Sequence, residues 1–142
     1  MASGVFNRFK TNLLKGLVDV AGSGSHVVNV GLVSSSYVFN ADHNVWTQIS
    51  TLYEVSGTGY VANGAALANK TVTQDDSDDE GVFDADDTTW ASSTITAQFA
   101  IIYDATLITK DLIAAIDFGS NQSSSNGNFT IQWHSEGIIN IN

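Results

Sequence analysis

Alternating apolar and polar positions in the middle of the chain predict two neighbouring β-strands. Residues 94–103 fall into two alternating rows, and residues 112–118 repeat the pattern after a polar break at 104–111. A period of two is that of a strand, because successive side chains leave a pleated backbone on opposite sides. One row of the first stretch consists of Ile95, Ala97, Phe99, Ile101 and Tyr103. We therefore expect two adjacent antiparallel strands at the centre of a β domain.

Two isoleucines lie on the rows that would otherwise face water. Ile102 belongs to the first stretch and Ile113 to the second. Strands with apolar residues on both rows are typical of sheets that are covered on both faces. The second cover is expected from an N-terminal helix or from a neighbouring subunit, which makes both isoleucines interface candidates.

The start of the chain has the pattern of an amphipathic helix. Val5, Phe9, Leu13 and Leu17 recur at every fourth position, and the basic residues fall mostly elsewhere. This spacing predicts a helix from a cap at Ser3 to about residue 20, ended by glycines at 22 and 24. Such a helix packs on its own sheet or on a neighbouring subunit. Its basic polar face leaves binding to a membrane surface as an alternative.

Further short strands with turn signals between them follow the helix. They are expected at 26–33, 69–74, 129–133 and 137–141, while 45–53 fits either a short strand or a turn of helix. The dipeptide Asn126-Gly127 is a strong hairpin signal. Together these patterns predict a mainly β fold, an antiparallel β-sandwich or jelly-roll-like domain with one N-terminal amphipathic helix. Residues 1–22 would form the helix and linker, and residues 23–142 a single sandwich domain.

Charge and composition exclude several classes of function. The net charge is -10, and only Lys70 and Lys110 are basic after Lys15, so the main domain should repel nucleic acid. The chain has no cysteine, which excludes disulfides and thiolate chemistry. No apolar run is long enough to span a membrane, and the N-terminus lacks the pattern of a signal peptide. We expect a soluble protein made in a cytoplasm.

An acidic run at 75–87 is the one candidate for metal binding. It matches the ligand spacing of an EF-hand loop, including a glycine at the sixth position, at Asp76, Asp78, Glu80, Asp84 and Asp87. The last residue is not the usual glutamate, and no amphipathic helix flanks the run. A solvated loop that keeps a sheet edge from pairing explains the same residues, and we expect no metal or other cofactor.

No arrangement of residues indicates catalysis. His26, His43 and His134 have no metal-binding spacing, and the serine-rich stretches do not form a nucleophile elbow. The glycines at 57–64 lack the lysine and the helix of a phosphate loop. We therefore expect that the protein is not an enzyme. Five aromatic residues fit either a carbohydrate platform or a β core, namely Trp46, Tyr53, Tyr60, Trp90 and Trp133.

An ordered set of motifs links the chain to a known kind of protein. The motifs are E-V-S-G-T-G-Y-V-A-N-G-A-A-L at 54–67, V-F-D-A-D-D-T-T-W-A-S-S-T-I-T-A-Q-F-A-I-I-Y at 82–103, I-D-F-G-S at 116–120 and S-S-S-N-G-N-F-T-I-Q-W at 123–133. Together they resemble a family of small structural proteins of tailed-bacteriophage virions, in which an N-terminal amphipathic helix precedes the β part. That family favours two glycines where this chain has Asn63 and Gly64, and asparagine tolerates the same left-handed backbone.

The resemblance implies a structural role in a virion, after synthesis in the cytoplasm of the host bacterium. We expect a capsid decoration or cement protein that binds and stabilises the assembled head, with the major capsid protein or other virion proteins as partners. A homo-oligomer is expected, with a trimer favoured. The alternatives are a tail, neck or fibre component, or a virion-exposed module for carbohydrate binding or adhesion. The candidate interface residues are Val5, Phe6, Arg8, Phe9, Lys10, Leu13, Lys15, Leu17, Ile102 and Ile113.

Overall fold

The computed structural model describes residues 3–22, 24 and 26–142 of the chain. The fold is mainly β and antiparallel, as the patterns predict. The elements are β1 (Gly4–Val5), α1 (Asn7–Leu14), β2 (Val28–Val33), α2 (Thr47–Tyr53), β3 (Ala65–Ala66), β4 (Thr71–Asp75), β5 (Glu80–Asp84), β6 (Thr88–Ser93), β7 (Thr96–Asp104), β8 (Leu112–Ser123), β9 (Gly127–Ile131) and β10 (Ile139–Ile141). The second helix, α2, occupies the stretch for which the sequence left a strand or a helical turn open.

Three antiparallel sheets organise the described residues. A five-stranded sheet has the order β1-β8-β7-β2-β3, a three-stranded sheet the order β10-β5-β4, and a two-stranded sheet joins β6 to β9. The predicted central pair is confirmed, since β7 and β8 run antiparallel beside each other. The predicted hairpin at Asn126-Gly127 is wrong. Its flanking strands belong to different sheets, because β8 pairs with β7 whereas β9 pairs with β6.

The chain itself covers both faces of the five-stranded sheet. One face shares a core with residues of the two smaller sheets, and the other face packs on α2 and the segment before it. Ile102 and Ile113 lie in the first core together with Phe9 of α1, and they are 0% and 1% exposed. The expectation of a cover on both faces is therefore confirmed, with the helix contributing to it. Neither isoleucine is accessible to a neighbouring subunit.

The side chains that strict alternation places on one face of β7 lie on two faces, because the pairing with β8 is irregular. The register between β7 and β8 shifts between Ala97 and Phe99 and again between Ile102 and Tyr103. A bulge turns the side chains that follow it towards the other face of the sheet. Ala97 therefore lies with Ile95 in the core beneath the smaller sheets, whereas Phe99 lies in the core beside α2.

The N-terminal helix begins later than the pattern indicates. Gly4 and Val5 are extended and pair with Ala115 and Ala114 of β8, so they extend the sheet as β1. Phe6 is buried at the junction and precedes the first helical residue. A backbone that pairs with a sheet edge cannot also make helical hydrogen bonds, and the predicted cap at Ser3 is therefore wrong.

The helix also ends earlier than expected. Gly16 has a φ of 65°, and its N–H bonds to the carbonyl of Leu13. The N–H of Leu17 bonds to the carbonyl of Asn12. These two bonds form a Schellman motif, in which a left-handed glycine terminates the helix. The predicted end of the helix at about residue 20 is wrong. The apolar residues keep their helical spacing beyond Gly16, so the spacing does not mark where the helix ends.

A tight turn at Asn63 and Gly64 joins the glycine-rich segment to the five-stranded sheet. Both residues have a φ of 75°, which confirms that asparagine keeps the turn in place of the first glycine. The backbone carbonyl of Asn63 accepts a hydrogen bond of 2.6 Å from the Tyr103 hydroxyl, and its side-chain oxygen accepts one of 3.1 Å from the Trp46 indole. The segment is thereby fixed to the core that contains α2.

Glu54 holds the other end of this segment. One of its carboxylate oxygens accepts hydrogen bonds from the Tyr60 hydroxyl at 2.8 Å and from the Asn63 N–H at 2.6 Å. Burial raises the pKa of the Tyr60 phenol, which therefore keeps its proton and acts as the donor. The motif at 54–67 is thus explained by packing and hydrogen bonding, with no ligand required.

Candidate assembly interface

Helix α1 has one side in the core and one side in solvent. Phe9 and Asn12 are buried, while Lys10 and Lys15 are exposed. Leu14 is 91% exposed, although leucine is a residue that globular proteins usually bury. The helix therefore presents both apolar and cationic groups to the solvent.

A buried polar cluster holds the helix in place. The carboxylate of Asp111 accepts hydrogen bonds from Asn12 at 2.8 Å and from Thr109 at 2.6 Å. The guanidinium of Arg8 lies 3.1 Å from the same carboxylate. A buried carboxylate needs such partners, because an unpaired buried charge is strongly destabilising. Arg8 is therefore engaged inside the chain. Among the described residues, no ion pair involves Lys10 or Lys15.

A shallow apolar groove lies between α1 and the end of the chain. Its walls include Val5, Phe9, Leu13 and Leu14 from the N-terminal region and Ile141 from β10. Lys10 stands at its rim. Leu17, after the end of the helix, is also 52% exposed. We refer to the exposed residues Lys10, Leu13, Leu14, Lys15 and Leu17, together with Ile141, as the α1 surface.

The structure separates the candidate interface residues into two groups. The solvent-accessible ones are Lys10, Leu13, Lys15 and Leu17, with Val5 and Arg8 half-buried. The buried ones are Phe6, Phe9, Ile102 and Ile113, which belong to the core of the chain itself. For the buried residues a role at an interface was the wrong expectation, because the sequence pattern does not reveal which apolar rows the chain covers by itself.

Leu14 is absent from the candidate interface residues that the sequence predicts, yet it is the most exposed leucine of the helix. The helical spacing gives no signal for this difference, because an apolar stripe about 100° wide can include two adjacent residues, and the rest of the fold decides which of them is covered.

The α1 surface differs in charge from the rest of the molecule. Three of the five basic residues lie at positions 8–15, whereas all fifteen acidic residues follow Lys15. The acidic run forms the end of the β4–β5 hairpin, with Asp76 and Asp78 in the turn. The α1 surface is therefore a cationic, partly apolar region on a domain whose other described residues are mainly acidic.

The acidic run does not form an EF-hand loop. Glu80 and Asp84 belong to strand β5, which pairs with β4 on one side and β10 on the other. Asp87 lies beyond the strand, where its carboxylate accepts a hydrogen bond of 2.9 Å from the Trp133 N–H. An EF-hand requires one loop that wraps its ligands around the ion. The five candidate residues are instead spread over the hairpin turn, strand β5 and the segment that follows it.

No cluster of metal-ligating side chains is present in the described residues. Within them, no group of three or more histidine, cysteine or acidic side chains is placed to hold a metal ion. His26 contacts Asp104 at 2.5 Å, and His43 lies 3.5 Å from the hydroxyl of Tyr37. The histidines are thus distributed over separate parts of the fold.

The large aromatic side chains fill the cores. Trp46 is fully buried and stacks on Tyr103, with ring centroids 4.9 Å apart. Trp90 and Trp133 are also buried, in the core beneath the smaller sheets. A carbohydrate platform requires aromatic faces that are open to solvent. These three indoles do not provide such faces.

No described helix has the length and apolar character required to cross a bilayer. Comparisons with protein-family models, with curated proteins and with solved structures gave no match to this chain.

Proposed function

We propose that the protein is a non-catalytic structural component of a tailed-phage virion, and specifically a decoration protein that binds the outer surface of the assembled head. The motifs at 54–67, 82–103, 116–120 and 123–133 support the phage assignment through their resemblance to virion proteins. The observation that carries the proposal is the exposed α1 surface. The major capsid protein is the proposed partner, and a symmetric homo-oligomer, with a trimer favoured, is the proposed form.

The α1 surface has the composition of a docking site. Leu14 and Leu17 would remove apolar area from water on binding, at about 25 cal/mol per Å² buried. Lys10 and Lys15 flank this apolar area and would attract an acidic capsid surface at long range. A central apolar anchor with charged groups around it is the usual arrangement of a specific protein interface.

The rest of the chain anchors the helix that carries the proposed docking surface. Strand β1 pairs with β8, Phe9 is inserted into the core, and Asp111 anchors Arg8 and Asn12. A preorganised surface loses little conformational entropy on association. A protein that binds the assembled shell but not its separated subunits stabilises the shell by mass action. This is how the decoration protein would act.

Leu14→Ser is expected to weaken binding to assembled heads by about tenfold or more, because a central apolar anchor of an interface contributes at least about 1.4 kcal/mol. The measurement is cosedimentation of the purified protein with heads that lack it. Leu52→Ser is the matched control, since Leu52 is 73% exposed but lies on α2, away from the α1 surface. Equal binding by both variants would contradict the assignment of the α1 surface as the docking site.

A tail, neck or fibre location remains the second candidate within the same class. It predicts that the purified protein does not cosediment with heads but does associate with isolated tails. The same α1 surface would then contact a tail protein. Binding of the wild-type chain to tails alone would therefore replace the head assignment while leaving the virion assignment in place.

A further inference from the structure

Strand β4 forms an open edge of the three-stranded sheet. Within the described residues it pairs with β5 alone, in an uninterrupted register from Thr71 opposite Asp84 to Asp75 opposite Glu80. The four residues Thr71–Gln74 are all exposed, and Val72 has 58% of its surface open to solvent. The backbone groups on the outer side of this strand are therefore free to pair with another strand.

Asp75 is the one charged residue of β4, and the other four residues lack the devices that normally prevent strand pairing. Natural edge strands carry inward charges, prolines or bulges, or are covered by other elements. The stretch Thr71–Gln74 is uncharged, contains no proline and shows no register shift. Three of its residues are β-branched, a side-chain type that favours extended backbone. The charges of this hairpin lie at its two ends instead.

The charges at the ends of β4 are opposite in sign. Lys70 precedes the strand, and Asp76 follows it. Within the described part of the chain no ion pair joins Lys70 to a carboxylate, although it is one of only two basic residues after Lys15. A strand with a cation at one end and an anion at the other is complementary to an antiparallel copy of itself.

We propose that β4 pairs with β4 of a second copy of this chain, antiparallel and centred on Thr73. In this register the whole of Thr71–Asp75 is paired. Lys70 of each copy faces Asp76 of the other, and Val72 faces Gln74. The two three-stranded sheets then join into one continuous sheet across a two-fold axis. Such a contact is isologous, because the same strand serves on both sides, so it joins copies in pairs and is distinct from the contact that would close a trimer.

Electrostatics selects the antiparallel orientation. A parallel pair would place the two acidic turns at 75–80 side by side, with ten carboxylates close together. The antiparallel pair separates the two turns by the length of the strand and supplies each Asp76 with a lysine. This contact lies outside the α1 surface and does not depend on where the protein is located in a particle.

The test is oxidative crosslinking of Thr73→Cys in the full chain. Residues opposite each other in an antiparallel pair have Cα atoms about 4.5–5.5 Å apart, within the range of about 4.4–6.8 Å that a disulfide spans. Because the chain has no other cysteine, every crosslink reports on the new position. Only residue 73 faces itself in this register. We expect Thr73→Cys to crosslink at least about tenfold faster than Thr71→Cys or Leu52→Cys.

Charge variants identify the register independently. Adding Lys70→Glu to Thr73→Cys is expected to slow crosslinking severalfold, because it places like charges opposite each other. Adding both Lys70→Glu and Asp76→Lys is expected to restore the rate, since the pair re-forms with its signs exchanged. Both sites are outside the core, and circular dichroism verifies that each variant is folded. Equal rates at positions 73, 71 and 52, or no rescue by the double charge exchange, would overturn the proposal.

Discussion

Gly64→Ala is expected to destabilise the domain by about 3–5 kcal/mol, enough to unfold many single domains. A Cβ atom at this position would lie 1.9 Å from the carbonyl oxygen of Val30 and 2.7 Å from its carbonyl carbon. Both are backbone atoms of β2, an inner strand of the five-stranded sheet, so neither can move without disturbing the sheet. The φ of 75° adds strain for any residue with a Cβ. The measurement is the free energy of unfolding from chemical denaturation.

Gly16→Ala is the matched control for this prediction. Gly16 also has a positive φ, of 65°, but a Cβ there would meet no atom within 4 Å. Its substitution is expected to cost only about 1 kcal/mol, which is the cost of the left-handed backbone alone. The difference between the two variants then measures the close approach of the 54–67 segment to β2. If both alanines cost the same, the close contact at Gly64 does not exist.

Phe6→Ala is expected to cost about 3–5 kcal/mol, because it empties a fully buried aromatic site. Phe6 is 0% exposed, packs against Phe39 with ring centroids 5.1 Å apart, and belongs to the core beside α2. The N-terminal segment is therefore part of the folded domain, and it also contains most residues of the α1 surface. Thermal and chemical unfolding of the variant measure the effect.

Leu14→Ala, eight residues further on, is expected to change the stability by no more than about 0.5 kcal/mol. Its side chain is 91% exposed and has little packing to lose. The contrast between the two variants separates the residues that hold α1 from those that it presents to a partner. A loss below about 1 kcal/mol for Phe6→Ala would show that the segment is peripheral to the fold. Because Phe6 is buried in the core, deletion of residues 1–22 would also destabilise the domain and is unsuitable as a test of docking.

Local periodicity explains which parts of the fold the sequence predicts. The alternation at 94–103 and 112–118 correctly predicts the neighbouring strands β7 and β8, because only an extended strand places successive side chains on opposite faces. The irregular register between β7 and β8 has no such signal, because it depends on how two distant strands fit together. The row containing Ile95 and Phe99 was consequently assigned to one face, whereas the structure places its members on two.

Competing local signals explain the errors at the chain's turns. Gly16 terminates α1 through its backbone conformation, although the apolar period continues to Leu17. Asn126 takes a left-handed φ of 48° at the bend before β9, but the strands on either side of the bend pair with β7 and β6 rather than with each other. Turn residues determine the local backbone. They do not determine which strand lies beside which.

The sequence identified only some of the exposed residues of α1, because helical spacing is a local signal whereas burial depends on the rest of the fold. The amphipathic pattern correctly located a helix with cationic and apolar groups, because helical spacing is local. It could not separate Phe9, which enters the core, from Leu14, which does not, since the chain's other elements decide which side of the helix is covered. The spacing of the acidic run was similarly uninformative, because β5 makes part of it a strand.

A cryo-electron microscopy map of tailed-phage virions that contain this chain, as proposed, tests the central claim most directly. We expect on the order of hundreds of copies of the domain on the outer surface of the head, because a symmetric shell repeats the same binding site many times. Leu14 and Lys15 should face the capsid protein. The account would be contradicted by about a dozen copies or fewer at the neck, baseplate or fibres, or by a head-bound domain whose α1 surface faces solvent.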